Sequence, residues 1–367
     1  MIIEKNDNQS GKESKEQFSP CSIKQPHQAT VDWQKVSAQK WLQTLVSLNE
    51  SAIDGSDRLY WMLTCRDWIK VNVDESATLD ELQLNCLVVM NQLAYRLCDW
   101  PLMIQIYQYI NPIGPSSKPE DYDQQVLIET LHCAVAFWQL GQLDSAVDLL
   151  VDFMPHYEQN SPLHQFYQQV KSDIDANHFK VCSDDNPQLY ICPLEEQHLS
   201  SFTWVYQDSQ IAKLCNLPEF NDDEQWYQWL DRDQVNPNKH VFAVNHELWG
   251  FVGVVAIEVH DGAGFFYYWL GQDFQGGGLG PQAVELMLGI AKQHMQMNCC
   301  YAKVFKHNIA SQKAMTKMGF EPVPFAIDKP NDDQMYFYLG KSKPKQIWWQ
   351  ELVDLAAITD IDSKILA

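Results

Sequence analysis

Apolar residues return at helical spacing from Val31 to Ile174, as in Trp41, Leu42, Leu45 and Val46 and again in Leu131, Val135, Ala136, Phe137 and Leu140, which predicts a helical half. The segment 1–30 before it is polar, carries Pro20 and Pro26 and lacks apolar periodicity. It cannot bury enough surface to offset its ordering entropy and reads as a disordered tail. Around Asp173 to Gln188 the helical period fails and acidic, Asn and Pro residues gather, so a linker is placed at 176–187. Downstream the pattern changes. Strands are predicted at Leu189–Pro193, His240–Val244, Trp249–Val259, Phe265–Leu270, Tyr301–Phe305 and Met335–Leu339, several joined by hairpin connections such as the one at Asp261 to Gly264. Helices are predicted at Glu196–Ser209, Asp223–Leu230, Pro281–Met295 and Ser311–Met318. The chain thus divides into a tail (1–30), a helical domain (31–175), a linker (176–187), a mixed α/β domain (188–342) and a helical extension (343–367). In that extension Trp348, Trp349, Leu352 and Leu355 form an apolar stripe that can dock on either domain.

Two stretches of the helical half can be laid on one another. Ala94 to Trp100, followed by Met103-Ile104 and ending at Asn111-Pro112, matches Ala136 to Gln142, followed by Ala146-Val147 and ending at Pro155. The second copy, with its Leu140-Gly141 turn, its Asp144-Ser145-Ala146 helix start and its Pro155 terminator, resembles a tetratricopeptide (TPR) unit. The first departs from that pattern, with Cys98 in place of the turn glycine and Pro101 at the next helix start, where proline is acceptable. The insert Pro112 to Asp123 makes the offset longer than the ~34 residues of a regular array, so a degenerate helical-hairpin domain is expected. Such layers serve as protein-binding or self-associating surfaces and carry no chemistry.

With 46% hydrophobic and 20% charged residues the chain can bury a sizeable core. Its Lys+Arg of 26 against Asp+Glu of 48 gives a net charge of −22, a field that repels phosphate backbones and anionic lipid surfaces and mildly favours cationic or amine-bearing ligands. Nucleic acid and membrane are therefore not expected as partners. The ten cysteines are scattered and form no CxxC pair, which argues against a metal site or a disulfide framework; the vicinal Cys299-Cys300 opens an apolar run and reads as buried thiols. No basic-then-apolar leader and no window of about 18 apolar residues is found, so a cytoplasmic location is expected.

The chemistry is concentrated where a strand ending Tyr268-Trp269-Leu270-Gly271 runs into Gln275-Gly276-Gly277-Gly278-Leu279-Gly280-Pro281 and opens a helix. Glycines let backbone N–H groups approach a ligand closely, and at the positive end of a helix dipole those groups suit phosphate oxygens. No Lys-Ser/Thr follows, as a Walker loop requires. Nor do the glycines open a βαβ unit, as a dinucleotide fingerprint requires.

The string resembles the signature Gln/Arg-x-x-Gly-x-Gly/Ala of the GNAT superfamily of acetyl-CoA-dependent N-acetyltransferases, as Gln275-x-x-Gly278-x-Gly280. Further on, Asn308-x-x-Ser311, followed by Lys317-Met318-Gly319-Phe320, resembles the superfamily's second motif. The resemblance covers residues 188–342 and implies an α+β chain whose second domain has a central, mostly antiparallel sheet. Many members place a Tyr four residues before the Gly of Gly-Phe; here Met315 stands there. That absence, a Trp-rich early helix and the Asn-x-x-Ser pair are similar to the branch of ribosomal-protein N-terminal (RimJ/RimL-type) acetyltransferases. That branch also includes enzymes acting on antibiotics and polyamines.

Carried over residue by residue, the resemblance implies that Gln275, Gly276, Gly277, Gly278, Leu279 and Gly280 cradle the diphosphate of acetyl-CoA, a co-substrate used without metal. Backbone at Trp269, Leu270 and Gly271 would pair with the pantetheine arm, and Asn308 and Ser311 would lie beside the thioester. Gly276 and Gly277 stand where relatives often supply Arg or Lys, leaving affinity to N–H groups and to Lys306 or Lys313. The implied activity is transfer of an acetyl or short acyl group to a primary amine of a peptide, protein N-terminus or small metabolite, by direct attack on the thioester. The amine must lose a proton and the oxyanion must be stabilised. Glu258 or His260 is the candidate base, directly or through water, and Ser311 or Tyr268 the donor to the thiolate. Trp226 and Trp229 are helix packing or a substrate wall; His240 and His246 read as structural or solvated. The alternative is a catalytically inactive CoA-binding sensor or scaffold that uses its TPR-like half for protein interaction.

Overall fold

The computed structural model describes residues 36–74, 78–111, 124–151, 154, 161–175, 180–184, 186–207, 209–215, 217–324 and 333–358. The predicted tail over 1–30 lies outside them. Seven helices come first among the described residues: α1 (Ala38–Glu50), α2 (Arg58–Asn72), α3 (Glu81–Arg96), α4 (Trp100–Ile110), α5 (Gln124–Gln139), α6 (Leu143–Val151) and α7 (Pro162–Asp175). Local chemistry sets their ends. Asp80 and Gln83 form a reciprocal capping box at α3, and Asp99 caps α4 just ahead of Pro101. The α3–α4 and α5–α6 turns place Cys98 at φ 51° and Gly141 at φ 65°, so each turn holds a left-handed residue although only one is glycine. Trp41, Met62, Trp68, Met90, Leu93 and Ile106 centre the core of this half.

The sheet begins earlier than expected. β1 (Val181–Cys182), inside the segment read as linker, pairs antiparallel with β2 (Leu189–Pro193), because Ser183 and Asn186 turn the chain back on itself. Next come α8 (Leu199–Val205), α9 (Ser209–Cys215) and α10 (Asp223–Gln234); the single helix predicted over 196–209 is broken after Val205, where the Tyr206 hydroxyl reaches the Pro218 carbonyl. They are followed by β3 (Lys239–His246), β4 (Gly250–His260), β5 (Ala263–Leu270), α11 (Leu279–His294), β6 (Cys299–Phe305), α12 (Ile309–Lys317), β7 (Glu321–Pro322), β8 (Gln334–Leu339) and α13 (Lys345–Ile358). The strands form one sheet in the order β1-β2-β3-β4-β5-β6-β8-β7, antiparallel except for the β5–β6 pair.

Side chains alternate across a strand, so each face of the sheet has its own cover. On one face α11 and α12 lie over Phe266, Ala302 and Val304. On the other, α8, α9 and α10 cover the Tyr267 and Trp269 side. Lower on that face α13 packs Trp348, Leu352 and Leu355 on Phe265, Tyr301, Tyr336 and Tyr338. The C-terminal stripe therefore docks on the sheet. The helical half also grips the sheet: Arg66, ion-paired to buried Asp99, donates to the Leu248 carbonyl (2.8 Å), Trp100 Nε1 to Ser201 Oγ (2.8 Å), and Tyr190 Oη to the Leu140 carbonyl (2.9 Å).

Candidate active site

β5 and β6 pair only from Ala263↔Cys299 to Phe266↔Ala302; beyond that level they part. The parting opens a cleft of about 350 Å³ through the sheet, walled by β5 and β6 and closed at one end by the glycine loop and α12. Trp269, Leu270, Gln275, Gly276, Gly278 and Gly280 line it, with Asn308 and Ser311 opposite and Tyr268 between. Gly271, Gly277 and Leu279 do not. Leu279 turns its side chain into the core, and a Cβ on Gly271 would strike Val205.

The loop suits a diphosphate. Gly276 and Gly278 sit at φ 82° and 83°, conformations that exact a penalty from other residues, and no side chain caps α11, whose N-cap is Gly278. Nothing lies within 4 Å of a Cβ built on Gly276, which leaves room beside it. Lys313 is exposed on α12 and is not part of the cleft wall.

The open edge of β5 is partly capped by its own neighbours. The Tyr268 carbonyl accepts the Cys215 thiol (3.4 Å) and the Leu270 carbonyl accepts Gln275 Nε2 (2.9 Å). Gln275, expected to reach phosphate, is thus engaged in closing the loop. Asn308 Oδ1 accepts the Ser311 N–H (3.1 Å), so the Asn-x-x-Ser spacing is also the N-cap of α12. The Ser311 hydroxyl is then free of capping duty and lies near Tyr268 in the cleft wall, and the Tyr268 pKa is raised mainly by burial; the two expected thiolate donors are brought together. Met315 is buried and forms part of the same wall.

Glu258 is not among the cleft's wall residues. The residue is 3% exposed, and its carboxylate accepts from His260 Nε2 (2.8 Å) and Asn236 Nδ2 (3.2 Å). The reason is register: Glu258 lies opposite Phe265, at a level where β5 and β6 are still paired, so it sits below the opening instead of in it. Trp226 and Trp229 pack round Phe202 in the core and form no wall of the cleft. His246 is buried, accepts the Leu248 N–H, and has its pKa pushed down to about 4 by desolvation. His240 stacks on Phe242. Tyr267 and Gln334, which the sequence reading passed over, do line the cleft. Strict alternation along Phe266-Tyr267-Tyr268 was the signal that would have separated the two tyrosines.

Residues 188–321 match the family model of the acetyltransferase (GNAT) domain, so this part of the chain is a GNAT-type acetyltransferase domain and the protein is an acyltransferase. Solved structures to which the chain is similar include RimL, a ribosomal L7/L12 alpha-N-protein acetyltransferase, at 13% identity over 45% of this chain and 96% of that one, TM-score 0.38. Others are the spermidine N-acetyltransferase of Vibrio cholerae in complex with CoA and spermine (16%, 42% and 96%, TM-score 0.37) and Mycobacterium smegmatis RimJ in complex with CoA-disulfide (14%, 49% and 94%, TM-score 0.37). No curated protein matches the chain. The assignment rests on the family match. Among the described residues, no His/Cys/Asp/Glu group could hold a metal ion, and no helix is long and apolar enough to cross a membrane.

Proposed function

We propose that this protein transfers an acetyl or short acyl group from acetyl-CoA to a primary amine by direct attack within a ternary complex. The observation that carries the reading is the cleft itself: a sheet that stops pairing midway, with an uncapped helix N-terminus and left-handed glycines at one end. In this reading the diphosphate lies on the N–H groups at Gly276 to Gly280, and the pantetheine arm runs along β5 toward Phe266. Its amides would take the unpaired N–H groups of the strand and compete with Gln275 and Cys215 for the carbonyls. Tyr268, held by Ser311, donates a proton to the departing thiolate. The amine's proton passes through water to Glu258, where His260 and Asn236 hold the carboxylate.

A RimJ/RimL-like acceptor range, meaning protein N-termini, peptides or polyamines, fits the net charge of −22 where the acceptor is cationic. The paired turns at Cys98 and Gly141 favour the TPR-like description of α3 to α6. A mass-spectrometric screen of acetyl transfer to free amines, peptides and N-terminal mimics, run beside a free-thiol assay, tests the function. Steady thiol release that depends on an amine supports it; a protein that binds acetyl-CoA and releases no thiol with any amine refutes it.

A further inference from the structure

Two faces of the short helix α8 are claimed by different parts of the molecule. Ser201 and Trp204, three residues apart on one face, look toward the helical half: Trp100 Nε1 donates to the buried Ser201 hydroxyl (2.8 Å), and Trp204 packs against the core that holds Met62, Trp68 and Leu93. Phe202 and Val205, spaced alike, look toward the sheet. The Phe202 ring stands edge-on to Trp269, centroids 5.2 Å apart, and Val205 occupies the space that a side chain on Gly271 would need. Gly271 follows the last residue of β5 and opens the turn that leads into the glycine loop: its carbonyl accepts the Phe274 N–H (2.9 Å), and the Gln272 carbonyl accepts the Gln275 N–H (3.4 Å).

The helical half meets the same region at two further points. Gly55, in the short turn Gly55–Asp57 ahead of α2, lies so close to the Gln207 side chain, just past α8, that a Cβ there would collide with it. Arg58 is buried and donates Nε to the Leu97 carbonyl (2.7 Å) and a terminal N–H to the Cys98 carbonyl (3.2 Å), which fixes the left-handed turn that presents Trp100. Its charge also reaches the turn after β5: desolvation raises the Asp273 pKa, and the Arg58 guanidinium opposes that rise. Fixing backbone costs about 1–2 kcal/mol per residue, so a loop held before its ligand arrives has less left to order on binding.

We infer that the helical half is a brace for the acyl-CoA site: through Trp100 and Ser201 it seats α8 against Gly271 and so fixes the turn from which the glycine loop springs. The inference rests on the acyl-transfer reading, which puts the diphosphate of acetyl-CoA on that loop. Trp100 and Ser201 are positioning residues, and neither lines the cleft. The loop carries no cation at Gly276 or Gly277, so the order of its N–H groups decides how tightly they bind. Another arm of the same interface ends elsewhere. Tyr190 reaches the Leu140 carbonyl from β2, and β3 and β4 stand between β2 and β5.

Trp100→Phe and Ser201→Ala, in the full chain, remove the contact from either side, and Tyr190→Phe removes a hydrogen bond of the same interface away from α8. In the ligand-free protein the amide hydrogens of Phe274 and Gln275 should exchange faster in both α8 variants. The Kd for acetyl-CoA, measured by calorimetry, should rise about two- to tenfold in each, the worth of one hydrogen bond, and the double variant should be little worse than either alone. Tyr190→Phe should lower the Tm and leave both readouts at their wild-type values. Ser201→Ala is a small change, so it decides the matter even where Trp100→Phe fails to fold. A folded α8 variant that keeps the wild-type Kd and exchange would overturn the brace. So would a Tyr190→Phe variant that shifts them equally, since the effect would then be general loosening. Wild-type protein that binds no acetyl-CoA would instead bring down the acyl-transfer reading itself.

Discussion

Gly280 matters for the space its missing side chain leaves. A Cβ there would lie 2.7 Å from the Tyr268 ring, which is packed in the cleft wall and must shift to admit it. Gly280→Ala should therefore weaken acetyl-CoA binding by about ten- to hundredfold, the overpacking cost of ~1–3 kcal/mol appearing in the loop, and calorimetry would check it. In the proposed reading Tyr268 and Ser311 act as one donor unit. Tyr268→Phe and Ser311→Ala should each lower kcat, by about 10²-fold, and the double variant should be little worse than either alone. Fully additive losses in steady-state turnover would mean that the two act separately. The sequence held this pair only as alternatives. Their contact needs the fold, since one sits on β5 and the other on the first turn of α12.

Among the elements, β3 carries an acid-sensitive end. His246, its last residue, is buried beside the turn into β4 and has its pKa lowered from the ordinary 6.5 to about 4. The unfolded chain binds that proton more readily, so stability is fully present above pH 6.5 and falls as the pH drops toward 4, by up to about 3 kcal/mol for this one group. His246→Gln should flatten that limb of a Tm-against-pH curve. Strand positions were legible because period-2 alternation and turn residues are local signals; β3 and β5 run three and two residues longer than their predicted spans, and β4 is shifted by one. That Glu258 stands outside the cleft wall was hidden by the same locality. It stands two residues before the end of β4 at a β-hairpin, but whether that level of the sheet is open or shut depends on where β6 leaves β5, about forty residues on. The Asp222 cap and the Asn308 cap, by contrast, lie in plain view as Asx residues three before the helical N–H that donates to their side-chain oxygen.

At the scale of the molecule, the helical half and the sheet share buried polar contacts as well as apolar ones. Asp99 is fully buried, and Arg66 neutralises it while holding the Leu248 carbonyl of the β3–β4 turn. Arg66→Met would leave the carboxylate buried and unpaired, a loss of about 3–5 kcal/mol, and should lower the Tm of the whole chain. Two separate melting transitions, with only one moved, would show that the halves are coupled weakly. Composition predicted a boundary near residue 180 but could not predict this grip, because Arg66 and Leu248 meet only in three dimensions.

The parted strands have one further consequence. Beyond Phe266 the edge of β5 toward β6 is an edge strand located inside the protein, walled off from other molecules by α9, α12 and β8. Ordinary sheet edges must be guarded against pairing with neighbouring chains. This one is open only to something thin enough to enter the cleft, and it is plugged for the time being by a thiol and a carboxamide. An extended ligand with amide groups would finish the sheet, and its arrival would be recorded in the backbone: the amide hydrogens of Tyr268 and Leu270 should exchange with solvent far more slowly once acetyl-CoA is added, while those of Phe265 and Tyr301, already zipped, keep their rates.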